Sequence, residues 1–169
     1  MDDLEALQKA VADLQRRMAA VERSEMRPST NGGEPDGDNF WALNALKARL
    51  GEHRGAVLFA GAVELDDGPV EWQLGYPQEG IFADDWGAHA ARLASLGNPT
   101  RLRLLQAVLS GAQSVAQLTA LDGIGTTGQL YHHLNGLAAQ GWLETVARGR
   151  YAVPPARVIP LLVILAATR

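Results

Sequence analysis

One stretch near the carboxyl end, "GTTGQLYHHLNGLAAQGWLETVARGRYAV" from Gly125 to Val153, restricts the fold of this chain more than any other. Its first part is polar, but three leucines recur at the spacing of one buried helix face: Leu130, Leu134 and Leu137. Two strand-like runs follow, Trp142 to Val146 and Arg150 to Val153, around a turn that contains Arg148. A helix that buries only one stripe, followed directly by a small hairpin, needs further helices to complete a core.

The residues around this stretch predict those helices. Three segments carry helix start and stop signals together with inward-facing apolar residues: "DDWGAHAARLASLG" (84–97), "NPTRLRLLQAVLSG" (98–111) and "SVAQLTAL" (114–121). "DGIG" predicts a turn, and "PPARVIPLLVILAATR" predicts a final apolar helix that breaks near Pro160. Helix, helix, short helix, turn, helix, hairpin and helix is the order of a winged helix-turn-helix domain. We therefore expect a mainly α fold with a small β component.

The polar residues beside the leucine stripe suit contacts with DNA. Residues near the amino end of such a helix reach base edges, where Thr, Gln, His and Asn offer the donors and acceptors that base reading needs. Arginines at the hairpin tip can meet the adjacent phosphate backbone or the minor groove. The candidate DNA-binding residues on this reasoning are Thr126, Thr127, Gln129, His132, Asn135, Arg148 and Arg150.

Charge is divided unevenly along the chain. Residues 1–85 hold 8 Lys and Arg against 17 Asp and Glu, a net charge of −9, whereas residues 86–169 hold 7 Arg against two acids, a net charge of +5. Such asymmetry favours a polyanion as the partner of the carboxyl half. For Arg101 and Arg103 two readings stay open, an ion pair within the chain and a contact with phosphate.

Several classes of protein are excluded by what the sequence lacks. The chain has no cysteine, which excludes disulfides and thiolate metal sites, and its four histidines form no metal-ligand pattern. No amino-terminal leader is recognisable, and the longest apolar run, residues 161–167, is too short to cross a bilayer. No phosphate-cradling glycine loop or serine elbow is present. We expect a cytoplasmic protein that is not an enzyme and uses no membrane, metal or cofactor.

The amino half, residues 1–80, divides into three predicted parts. Residues 1–24 carry a heptad pattern that favours a coiled coil between two chains, the alternative being an amphipathic helix folded onto its own domain; the apolar positions are Leu4, Leu7, Val11, Leu14, Met18 and Val21. Residues 25–38 are rich in Gly and Pro and predict a flexible linker. Residues 39–80 predict a helix from Phe40 to Leu50 and a β-hairpin around Asp66-Asp67-Gly68. We interpret residues 39–80 as an accessory region, with a sensor role as one interpretation.

The tryptophans of the chain bear on that sensor role. Trp41, Trp72 and Trp86 are expected mostly in the core, because large aromatic side chains are usually buried there. The alternative is a tryptophan-lined pocket for a small molecule between the hairpin and the Phe40 helix. Burial of the three side chains distinguishes the two readings.

Residues 84–167 resemble a known family. The segments "LASLGNPTRLRLLQAVLSG", "SVAQLTAL" and "QLYHHLNGLAAQGWLETVARGRYAV", with the apolar tail, are similar to bacterial arsenic-repressor-type (ArsR-like) winged helix-turn-helix transcription regulators. The resemblance implies a homodimer, with the first and last helices of the domain at the interface, that binds double-stranded DNA at a two-fold symmetric operator. It also implies that Tyr131 and His133 lie on or beside the recognition helix, with Thr126, Thr127, Gln129, His132 and Asn135.

Two functional hypotheses follow from the sequence. The first is a dimeric, sequence-specific DNA-binding transcription regulator that senses no metal and responds to a small molecule or a protein through its amino half. The second is a protein-interaction module on a winged-helix scaffold that does not bind DNA, which the overall acidity of the chain favours. Residues 81–169 form the DNA-binding domain in the first reading, with the final helix assisting dimerisation.

Overall fold

Residues 40–169 are described in a computed structural model of the chain. The predicted coiled-coil helix of residues 1–24 and the linker of residues 25–38 lie outside the described residues. Residues 41–169 form one compact unit. Its elements, in chain order, are α1 (Trp41–Ala48), β1 (Ala56–Leu65), β2 (Gly68–Pro77), α2 (Gln78–Ala83), a 3-10 turn (Trp86–His89), α3 (Ala90–Leu96), α4 (Pro99–Leu109), α5 (Val115–Thr119), α6 (Thr127–Ala139), β3 (Glu144–Ala147), β4 (Arg150–Ala152) and α7 (Pro155–Ala166).

The fold is mainly helical with two small antiparallel sheets, as the sequence predicts. Each sheet has two strands, β1 with β2 and β3 with β4. The predicted hairpin around Asp66-Asp67-Gly68 is confirmed, because Leu65 pairs with Gly68 across the turn. Among residues 40–169, no helix combines the length and the apolar character that crossing a bilayer requires.

Local signals in the sequence account for the starts of three helices. Asn98 caps α4, since its Oδ1 accepts a hydrogen bond from the Arg101 N–H at 3.1 Å. Ser114 and Thr126 each form a capping box, with the glutamine three residues later, at the starts of α5 and α6. These caps satisfy backbone N–H groups that a helix leaves unpaired. The helices therefore begin where the sequence predicts.

The hydrophobic core lies among α4, α5, α6 and α7. Its most completely buried side chains are Leu104, Leu105, Leu118, Leu130, Leu134, Leu137, Val158, Ile159 and Leu161. The predicted break at Pro160 is wrong, because α7 runs without interruption from Pro155 to Ala166. Pro160 removes one backbone donor of the helix, and the buried neighbours Ile159 and Leu161 hold the two sides of that position in the core.

The β1–β2 hairpin packs on α7 and shares its core. Phe59, Val63 and Trp72 on one face of the hairpin contact the buried cluster. The two elements approach closely at Gly61, where an added Cβ would lie 2.9 Å from both Cδ1 and Cγ2 of Ile159. A two-stranded hairpin is marginal alone in water, so its stability depends on this contact with α7.

The expectation that the tryptophans are mostly buried is wrong for two of them. Trp41 is 70% exposed and Trp86 is 60% exposed, whereas Trp72 is half-buried in the hairpin. Trp41 stays exposed because the apolar face of the hairpin is covered by α7 and not by α1. Trp86 lies on the 3-10 turn, where its indole N–H donates a hydrogen bond to the Ile81 carbonyl at 2.7 Å. Helix α1 buries no residue.

Candidate nucleic-acid interface

Helix α6 separates a buried leucine face from an exposed polar face. Leu130, Leu134 and Leu137 are fully buried. The exposed residues include the predicted DNA-binding set on this helix, namely Thr126, Thr127, Gln129, Tyr131, His132 and Asn135. Tyr131, an aromatic residue on this face, is 41% exposed. The sequence pattern therefore places these six side chains on the accessible side correctly.

The amino end of α6 uses two of these side chains for its own cap. The Thr126 hydroxyl accepts a hydrogen bond from the Gln129 N–H at 3.3 Å, and Gln129 Oε1 accepts one from the Thr126 N–H at 2.8 Å. Gly125 precedes the cap with φ +86°, a conformation that favours glycine. The side-chain amide oxygen of Gln129 is engaged in the cap. The side-chain amide nitrogen of Gln129 has no hydrogen-bond partner among residues 40–169. The side chains of Thr127, His132 and Asn135 make no hydrogen bond with other residues of the described part of the chain.

His133 lies on the inner side of the same helix, half-buried beside Arg101. Arg101 crosses α6 at Gly136, where an added Cβ would lie 3.0 Å from Nη2, and its Nη1 donates a hydrogen bond to the Ser95 carbonyl at 3.4 Å. The buried Nδ1 of His133 has no hydrogen-bond partner in the described part of the chain. Burial lowers the pKa of His133 below its ordinary value of 6.5, and the charges of Arg101 and His132 lower it further.

This arrangement predicts that stability falls as the pH drops below about 6.5. In the unfolded chain the imidazole takes up a proton at its ordinary pKa, whereas folded His133 stays neutral to lower pH, so protonation favours unfolding. His133→Gln should flatten this pH dependence when urea unfolding is measured at pH 7.5 and pH 5.5. The other histidines are the same in both proteins, so any contribution from them cancels in the comparison. An equal loss of stability in the variant and the natural chain would contradict the assignment.

The two arginines of the β3–β4 hairpin differ in their surroundings, although both are exposed. Arg148 has no hydrogen bond or ion pair with another residue in the range 40–169. Arg150 Nη2 donates to Gln113 Oε1 at 3.0 Å, and Gln113 Nε2 donates in turn to Asp67 Oδ2 at 2.6 Å. This polar chain links the turn of the β1–β2 hairpin to the β3–β4 hairpin through the loop after α4. Sequence reasoning missed Gln113 and Asp67, because no local pattern signals contacts across 37 and 46 residues.

Within residues 40–169, no carboxylate forms an ion pair with an arginine of the carboxyl half. The ion pairs among residues 40–169 are His53–Glu79 at 3.4 Å and His89–Asp84 at 2.7 Å, and neither involves an arginine. The reading in which Arg101 and Arg103 pair with acids of their own chain is therefore wrong within the described residues. Arg103 lies against Gly123 in the turn before α6, where an added Cβ would lie 3.0 Å from its Nη1. The acids of the carboxyl half are too few to neutralise its arginines.

Within residues 40–169, no group of three or more His, Cys, Asp or Glu side chains is placed to hold a metal ion. No protein-family model, curated protein or solved structure matches this chain.

Proposed function

We propose that the protein is a DNA-binding transcription regulator, not an enzyme, built on a winged helix-turn-helix. In this proposal α5 and α6 form the helix-turn-helix, α6 is the recognition helix, and the β3–β4 hairpin is the wing. The single observation that carries the proposal is the exposed polar face of α6 in a half of the chain whose arginines have no carboxylate partners among residues 40–169. A polyanion supplies the missing counter-charge, and the polar side chains of α6 supply contacts to base edges.

The residues divide into two roles on this proposal. Thr127, Gln129, His132 and Asn135 contact base edges, Gln129 through its amide nitrogen because its oxygen is used in the cap. Arg148, Arg150 and Tyr131 contact the phosphate backbone, which sets position and affinity but carries no sequence information. Thr126 acts mainly through its cap, which fixes the start of the recognition helix.

A second copy of the chain is part of the proposal. Leu93 on α3 is 54% exposed and Leu165 on α7 is 36% exposed, and the ArsR-like resemblance assigns these first and last helices of the domain to a dimer interface. Trp86, at the start of the 3-10 turn that precedes α3, adds a further exposed apolar side chain. Exposed apolar surface of this kind favours association. We place this dimer in the cytoplasm, with its amino half responding to a small molecule or a protein.

An alternative function is a protein-interaction module that has lost DNA binding. Two contacts favour it: the Thr126–Gln129 cap occupies polar atoms at the end of α6 that would approach the bases, and Arg150 is already bonded to Gln113. In this alternative the exposed face of α6 binds an acidic protein surface. Selection of binding sites from random DNA distinguishes the two, because only the first function enriches a sequence.

The salt dependence of operator binding provides a quantitative test. If Arg148 and Arg150 of both protomers contact phosphate, affinity for the selected site should fall about a hundredfold between 50 and 200 mM salt, because four contacts release condensed counterions. Fluorescence anisotropy with labelled duplexes measures this slope. A scrambled duplex of the same length is the control for sequence specificity. Equal affinity for both duplexes, or binding that is insensitive to salt, would contradict the proposal.

A further inference from the structure

The outer edge of strand β1 carries backbone groups that no described residue pairs. In an antiparallel pair, every second residue of a strand directs its N–H and C=O away from the partner strand. The Gln78 N–H donates to the Gly55 carbonyl at 2.8 Å and continues the register of the hairpin by one pair, so the odd-numbered residues of β1 are the ones bonded to β2. The even-numbered residues have N–H groups that point outward and find no hydrogen-bond partner within residues 40–169: Ala56, Leu58, Ala60, Ala62 and Glu64.

The other edge of the hairpin, on β2, is less able to pair with a further strand. The outward positions of β2 include Pro69 and Pro77, and proline has no N–H to donate. Strand β1 contains no proline and no basic residue, and its one charged side chain is Glu64, near the turn. Exposed edges commonly carry proline or charged residues, because these prevent pairing with another chain. The edge of β1 is therefore the one suited to receive another strand.

A wide apolar groove borders this edge. It is about 960 Å³ in volume and lies between the turn half of β1, α4 and α7. Its apolar lining includes Val63, Leu102, Leu109, Leu162 and Leu165. No residue of β2 lines it, so the groove lies on the β1 side of the hairpin. A strand added to β1 would extend the sheet over this groove.

The open end of the hairpin exposes part of its inner face, the face that packs on the core. Val57 and Tyr76 are opposite each other in the register, on the same face as Phe59 and Val63, which contact the core. Val57 is nevertheless 56% exposed and Tyr76 is 47% exposed. Helix α7 contacts the hairpin nearer the turn, at Gly61. One end of the hairpin thus has apolar surface to cover, and the other end borders a groove that is open.

We propose that the free edge of β1 pairs with β1 of a second copy of the chain, which forms an antiparallel four-stranded sheet about a two-fold axis. Full overlap of the two edges places Ala60 opposite Ala60 of the second copy, and each outward N–H then meets a carbonyl. Glu64 lies opposite Ala56, so the two glutamates stay at opposite ends of the contact. Val57 lies opposite Val63 of the second copy, on the inner face. The open end of each hairpin thereby covers the groove of the other copy.

This contact deepens the dimer of the proposed regulator and rests on that function only for its second copy, since it needs no DNA. Helix α7 lines the groove, so the paired strands continue the surface that the proposed function assigns to the dimer. An extended peptide of another protein is the other occupant that a free strand edge accepts. It would leave two copies of the chain unlinked at β1, and the following experiments distinguish it.

Disulfide formation tests the pairing, because the chain has no natural cysteine. In Ala60→Cys the Cα atoms of the two introduced cysteines would lie about 5.5 Å apart, within the range that a disulfide spans. Gln73→Cys is the matched control, because Gln73 is opposite Ala60 in the hairpin and both residues are exposed. In the proposed sheet its two copies are separated by three strand spacings, about 14 Å, which no disulfide spans.

Mild oxidation of the full chain without DNA should join most of Ala60→Cys into covalent dimers and leave Gln73→Cys unlinked. Electrophoresis without reducing agent measures both. Equal cross-linking of the two variants would show random collision, and no cross-linking of Ala60→Cys would show that the edge is free or bound to something else. Either result would overturn the proposal.

A pair of proline variants measures how much the edge contributes to association. Ala60→Pro removes an outward N–H at the centre of the contact, and Gln73→Pro removes one from the edge of β2 directly opposite. Neither N–H bonds within the hairpin, so both variants should fold, which circular dichroism checks. In sedimentation equilibrium of the full chain without DNA, we expect Ala60→Pro to raise the dimer Kd at least tenfold and Gln73→Pro to leave it nearly unchanged. Equal Kd values would refute the strand pairing and leave a dimer through the helices intact, whereas a failure of DNA binding would not alter either measurement.

Discussion

Replacing Arg148 and Arg150 together by alanine should lower operator affinity about ten- to a hundredfold at moderate salt. Each arginine offers a guanidinium to phosphate, and neither is paired with a carboxylate within residues 40–169. The salt dependence should also become shallower, by about one unit of slope for each phosphate that is no longer neutralised. Fluorescence anisotropy on the selected duplex at several salt concentrations measures both effects. Discrimination against scrambled DNA should persist, because base contacts from α6 remain.

A matched control separates local contact from loss of net charge. Arg49→Ala combined with Arg54→Ala removes the same two charges from exposed positions near α1, far along the chain from the wing. This control should leave affinity nearly unchanged, since long-range attraction is screened beyond about 10 Å at ordinary salt. Equal losses in the two double variants would show that only net charge matters and would remove the wing from the proposed interface.

The single substitutions distinguish the two wing arginines. Arg148 has no partner within the described residues, so Arg148→Ala should reduce DNA binding and leave stability unchanged. Arg150 is bonded to Gln113, so Arg150→Ala should also loosen the attachment of the wing to the loop after α4. Gln113→Ala removes the same attachment and keeps the charge. If Gln113→Ala lowers affinity and Arg148→Ala does not, the wing acts through its position and not through direct phosphate contact.

The features of the fold that can be predicted from the sequence arise from contacts between residues close together in the chain. Asn98, Ser114 and Thr126 mark helix starts because a cap involves residues two or three positions apart. The leucine stripe of α6 is predicted for the same reason, since a helix brings residues three and four apart onto one face. The exposure of the candidate DNA-binding residues on α6 follows directly from that stripe.

The features that cannot be predicted from the sequence arise mostly from contacts between residues far apart in the chain. The exposure of Trp41 is decided by which element covers the hairpin, and composition carries no information on that choice. The cap that engages Gln129 is an exception, because it follows a local Thr-x-x-Gln pattern from which the engaged amide oxygen could have been predicted. The link from Asp67 through Gln113 to Arg150 has no counterpart in any local pattern.

Gly61 provides the largest expected effect on stability outside the central core. Valine normally favours a strand, but at position 61 its Cβ would come within 2.9 Å of Ile159, whose side chain is almost completely buried. Gly61→Val should therefore lower the free energy of unfolding by about 1 to 3 kcal/mol, the range for overpacked sites. Urea unfolding followed by circular dichroism measures the change.

Gly75→Val is the matched control in the partner strand. An added Cβ at Gly75 would lie 3.7 Å from Leu58 Cδ1, an ordinary contact, so this variant should be close to neutral. A double-mutant cycle then tests the cause: in the Gly61→Val background, Ile159→Ala should cost less than it does alone, because it also removes the clash. Additive effects would show that the hairpin does not press on α7 at this point. If the β1–β2 hairpin shares its core with α7, the two should unfold in one transition. A separate unfolding transition for the hairpin would contradict this expectation.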